Sequence, residues 1–149
     1  MGNRGLRRLF ATERSRQQGA SAVEMAVLAP FLILLLFGVV ESSWLIARSL
    51  DVAQAAREAG RMAGVNDGDE TAIIIAVCNG MDEPAGAQIT LSGAGNGLGG
   101  KITATTEQNV DTITGLLDPL FSPPVNISHT TTFRLEQTTA SWTDTTESC

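Results

Sequence analysis

Gly19-Ala-Ser-Ala-Val-Glu24-Met25-Ala-Val-Leu-Ala-Pro30, running on into Phe31-Leu-Ile-Leu-Leu-Leu-Phe-Gly-Val-Val40, decides how the rest of this 149-residue chain is placed. From Met25 to Val40 the run is apolar over about 16 residues, and Trp44, Leu45, Ile46 and Ala47 extend it. One tilted helix of that length crosses a hydrocarbon layer about 30 Å thick, so residues 20–47 read as a transmembrane helix. Pro30 removes a backbone donor and frees the carbonyl of Ala26, which predicts a bend, and Gly38 is a second soft point.

On the N-terminal side, Arg4, Arg7, Arg8, Arg14 and Arg16 stand against a single Glu13, whereas the first charges after the run are Glu41, Arg48 and Asp51. Basic residues stay in the cytoplasm, so the chain is expected to be single-pass in the cytoplasmic (inner) membrane, N-terminus in and C-terminus out. Residues 1–19 form a basic leader with no apolar helical face to add to a core. Glu24 needs an explanation, because a carboxylate at the centre of a membrane helix costs about 2.5–3.5 kcal/mol, less near the interface.

On the C-terminal side the helical pattern continues through residues 48–64, with Ile46, Leu50, Ala53, Ala56, Gly60 and Ala63 recurring at spacings of three and four. From Ala20 to Gly64 such a helix spans roughly 65 Å, far more than a bilayer. The face formed by Ala53, Ala56, Gly60 and Ala63 is built of small residues that let another backbone approach closely. It has two readings, as a cover for the chain's own domain or as a packing face toward other chains.

Residues 65–149 read as a small extracytoplasmic domain. Asp69 and its neighbours are N-cap candidates for a helix over 71–80, although Ile73-Ile74-Ile75 also suits a buried strand. Ala87–Leu91 and Lys101–Val110 alternate like a hairpin across a glycine-rich connection, and Val125–Leu135 is the longest strand candidate. The predicted fold class is α+β, a long N-terminal transmembrane helix extending into a small domain with an antiparallel sheet. Glu136–Cys149 is polar and expected to be loosely ordered, with Trp142 and Cys149 as anchors.

Two cysteines, Cys78 and Cys149, fall on the outer side, where a disulfide is permitted. A bridge closes a loop of about 70 residues, worth about 4 kcal/mol by chain entropy, and the alternative is a buried Cys78 with a frayed C-terminal thiol. The net charge of −6, which becomes more negative without the leader, argues against nucleic acid as a partner. The single histidine, His129, lies in a strand pattern beside Ser128, and no metal-ligand cluster or nucleophile–base set is legible. An enzyme is not expected, and neither is a cofactor.

The arginine-rich leader, Gly19, four small or aliphatic residues and then Glu24 before an apolar helix resemble the processing site of type IV prepilins. More closely, Gly19–Pro30, Phe37-Gly-Val-Val-Glu41 and Ala55-Ala-Arg-Glu-Ala-Gly-Arg-Met-Ala63 resemble the TadE-like pilus-assembly pseudopilins of tight adherence systems. Met25 stands where the prepilin motif usually has an aromatic residue. The resemblance implies cleavage between Gly19 and Ala20 by a prepilin peptidase, and helix-mediated packing against other pilins and the pilus assembly machinery. It also implies a role for Glu24, which after cleavage lies close to the new amine of Ala20 or that of a neighbouring subunit, an ion pair that offsets desolvation in lipid. An uncleaved single-pass membrane-anchored binding or sensor subunit has the same topology and differs by keeping its leader.

Overall fold

The computed structural model describes residues 4–65, 69–94, 99–115, 118–136 and 143–149. Helix α1 runs from Arg4 to Val65 with Pro30 inside it, so the helical assignment includes the leader as well as the apolar run. The chain divides into two compact units after Val40. The first is helix alone, and its apolar side chains from Val23 to Val40 are exposed, Phe31 by 72%. This stretch is long and apolar enough to cross a membrane, and none of its most apolar window is buried.

The second unit begins at Glu41, inside the 20–47 segment that apolarity alone assigns to the membrane helix. Its elements after α1 are α2 (Glu70–Gly80), β1 (Ala87–Ala94), β2 (Lys101–Val110), the short α3 (Asp118–Phe121), β3 (Val125–Arg134) and β4 (Thr145–Ser148). Together they make an α+β body. Asp69 caps α2 by accepting from the backbone N–H of Ala72 at 3.0 Å, and Ile73, Ile74 and Val77 supply its buried face, so the triple isoleucine is helical here. Gly86, at φ +75°, makes the turn into β1, a conformation an L side chain resists.

The sheet is antiparallel throughout, in the order β3-β2-β1-β4. In β2 the alternation is sharp, with Ile102, Ala104, Thr106, Gln108 and Val110 buried and the residues between them at least partly exposed. The core joins Ile89, Leu91, Ile102 and Leu135 to Ala55, Ala59 and Ala63 of α1 and to Ile73, Ile74 and Val77 of α2. The small residues of α1 allow this close approach, and burial of the isoleucines contributes about 1.5–3 kcal/mol for each side chain.

Two sequence expectations change. The stripe expected to start at Ile46 and Leu50 starts at Val52 instead, for Ile46 and Leu50 are 61% and 55% exposed. It is also wider than expected, taking in Ala55 and Ala59, because both α2 and the sheet cover it. The C-terminal segment, expected to be loose, contributes the edge strand β4, with Thr90 paired to Thr146 and Ile89 to Glu147. Trp142, read as an anchor, lies outside the described residues.

Candidate functional site

The residues singled out for processing and assembly all lie on α1. Gly19, Ala20 and Glu24 are exposed, and a Cβ on Gly19 would meet nothing within 4 Å. Glycine weakens a helix by about 0.5–1 kcal/mol relative to alanine, so the helix opens at reduced cost at Gly19. Glu24 lies one helical turn beyond Ala20, on the same side of the helix.

The small-residue face has a different fate. Ala53, Ala56, Gly60 and Ala63 are all buried. At Gly60 the ring of Phe133 occupies the space a side chain would need, and an added Cβ would stand 2.2 Å from Phe133 Cδ2. The chain's own body therefore covers this face. Beyond it Glu136 donates its N–H to the carbonyl of Gly64 at 3.1 Å, which ties the end of β3 to the last turn of α1.

Glu41 is a structural anchor that the motif reading quoted without assigning a role. Its side chain is fully buried, and its carboxylate accepts from the N–H groups of Ile113 and Thr114, at 2.6 and 3.2 Å, and from the Thr114 hydroxyl at 2.8 Å. Those partners lie in the connection after β2, ahead of the short α3, at positions that belong to no strand or helix. A charge placed directly after an unbroken apolar run is the sequence signal that could have found it. Farther along α1, Arg48 is buried with its guanidinium 4.0 Å from the centroid of the Trp44 ring and paired with Glu83. Gln108 donates to the carbonyls of Glu83 and Ala85 at 2.8 and 3.1 Å, so β2 secures the same turn from the other side.

At the far end of the body two devices hold β4 to α2. The first is the disulfide between Cys78 and Cys149, whose Cα atoms are 5.6 Å apart. The second is Glu70, which accepts from the N–H and hydroxyl of Thr143 and from the hydroxyl of Thr145. Partial burial pulls the Glu70 carboxyl upward, but these hydrogen bonds outweigh it and hold the pKa below the ordinary carboxylate value.

A cleft of about 580 Å³ opens between α1 and α2, with Met62, Val77 and Met81 in its wall. Its lining contains no serine, threonine, cysteine or histidine. Its charges are engaged with one another or with backbone: Arg61 pairs with Glu58, and Arg57 donates to the carbonyl of Ala53. Among the described residues no group of three or more His, Cys, Asp or Glu side chains is placed to hold a metal.

Comparison with known proteins assigns the helix and leaves the sheet unassigned. The family model described as TadE-like protein matches residues 19–61. The match opens at Gly19, includes Glu24, the apolar run and Glu41, and ends inside the buried small-residue face. This stretch of the chain is similar to the TadE-like family, and β1 to β4 lie beyond the match. No curated protein and no solved structure matches the chain.

Proposed function

We propose, with the TadE-like stretch at residues 19–61 as the premise, that the chain is a minor pilin-like subunit acting in the assembly of a tight adherence pilus. The observation that carries this reading is the coincidence of the match with the exposed apolar helix: it begins at Gly19, where the leader would be cut, and its first half is the uncovered apolar stretch. A prepilin peptidase in the cytoplasmic membrane removes the five-arginine leader. The new amine of Ala20 then pairs with Glu24 of its own or a neighbouring chain, which sets the register between helices in lipid. Packing against other pilins falls to residues 20–40, since Ala53, Ala56, Gly60 and Ala63 are engaged within the chain.

Intact mass tests the processing step. Gly19→Val adds a β-branched side chain at the scissile bond and should leave the leader attached, while wild type loses it. Glu24→Ala should still reach the membrane but recover fewer pilin partners on co-purification. If wild type and Gly19→Val run with the same leader still attached, the chain is an uncleaved membrane anchor. Normal partner recovery by Glu24→Ala removes the pairing role alone.

A further inference from the structure

The two edges of the sheet are built differently. β4 is four residues long, carries Glu147, and is held by the disulfide and by Glu70. β3, at the opposite edge, is ten residues long and contains no proline, lysine, aspartate or glutamate. Proteins usually protect an open edge with short strands, charge, proline or a covering element, because unpaired N–H and C=O groups template another strand.

The inward side of β3 is covered at Phe133, whose ring lies over Gly60 of α1, and is more open toward the middle of the strand. Thr106, the register partner of His129, is fully buried, and so is Ala104, the partner of Thr131. On β3 itself His129 is exposed and Ile127 and Thr131 are only partly buried, so among the described residues cover over β3 is thin between Ile127 and Thr131, and no residue of β3 is fully buried.

We propose that the free edge of β3, Val125–Arg134, pairs with the same edge of a second copy of this chain, the two strands running antiparallel about a two-fold axis at His129 or Thr130. A two-fold axis normal to the sheet must set inward residues against inward residues, which leaves two central registers. Centred on His129, the pairing sets Val125 against Phe133 and Ile127 against Thr131. Centred on Thr130, it sets Ile127 against Phe133. In both, branched or aromatic side chains meet across the inner face, and Thr130 and Ser128 meet hydroxyl-bearing neighbours on the outer one, the pair types that stabilise antiparallel strands. Neither register brings two carboxylates together, and Arg134 never faces another cation, so this edge escapes the repulsion that a net charge of −6 imposes elsewhere.

Single-cysteine oxidation of the full-length protein in native membranes tests the pairing, because the native cysteines are already bonded to each other. His129→Cys or Thr130→Cys should give a disulfide-linked species of twice the chain mass, and Gln88→Cys, on the interior strand β1, should not. Ile127→Lys in the Thr130→Cys background should cut that dimer by about tenfold or more, as a charge on an edge does. Ser128→Lys, on the outer face, serves as the second probe should Ile127→Lys lower the melting point of the body. The proposal is overturned if neither position yields the dimer, if Gln88→Cys yields it equally, or if the product is an adduct with a different protein.

Discussion

One helix carries two kinds of surface. In residues 20–40 of α1 the side chains are large and apolar and stand exposed, whereas in residues 52–64 they are mostly alanine and glycine and buried. Ordinary hydrophobicity ranks these stretches in the opposite order to their burial. The difference teaches that burial against protein was decided by size, since small side chains let the sheet and α2 come close. The large apolar residues are left facing outward, as suits a helix whose solvent is hydrocarbon. An exposed apolar stretch long enough to cross a membrane and a buried stretch of small residues thus share the single helix α1, and the second begins after Glu41.

Removing the disulfide should separate the two stretches most forcefully. Cys78→Ser with Cys149→Ser is expected to destabilise the body by about 4 kcal/mol, because the loop it releases is long. Membrane integration should be unchanged; thermal unfolding in detergent and alkaline extraction of membranes read the two effects. The converse variant, Leu34→Arg, should cost about 2.5–3.5 kcal/mol in membrane insertion while leaving the melt of the body as it was.

Glycine substitution sharpens the contrast at lower cost. Gly60→Ala forces a Cβ into the Phe133 ring and should destabilise the body by about 1–3 kcal/mol, offset in part by better helix propensity. Gly38→Ala meets nothing within 4 Å and should leave the melt of the body unmoved. Equal melting points for the two variants would mean that Phe133 does not rest on α1.

The smallest effect expected is a pH dependence from Glu70. Its pKa lies below the unfolded-state value, so its contribution is complete above that value and is lost as pH falls through the folded one. The advantage of wild type over Glu70→Gln should be full at neutral pH and should close as pH falls to about 3, so the melting point of wild type falls the more steeply. A difference that stays constant from neutral pH to about pH 3, or that widens in acid, rules out the proposed contribution.

Much of this was legible because the relevant physics is local. The apolar run, the arginine asymmetry, the Asp69 cap and the period-two pattern of β2 each announce themselves within a few residues, so the span, α2 and three of the strands could be placed without coordinates. Gly19 and Glu24 were legible as a motif, since spacing along one helix is enough to define them. β4 was not, because Thr-Thr-Glu-Ser has no apolar period and becomes a strand through Glu70, Cys78 and a partner strand far away in sequence.

By itself, the sequence determined which stretch of the chain is apolar enough for a membrane and where helices and strands alternate. These follow from composition and from periods of 2 and 3.6 residues, which need no knowledge of what lies opposite. Only the tertiary structure decided that Ala53, Ala56, Gly60 and Ala63 face inward, that the body starts at Glu41, and that β3 is an edge strand among the described residues. A small residue is compatible with any close neighbour, and a carboxylate with any set of donors. Which neighbour arrives is settled by the contacts of the whole fold, where Phe133 meets Gly60 and the connection after β2 brings its N–H groups to Glu41.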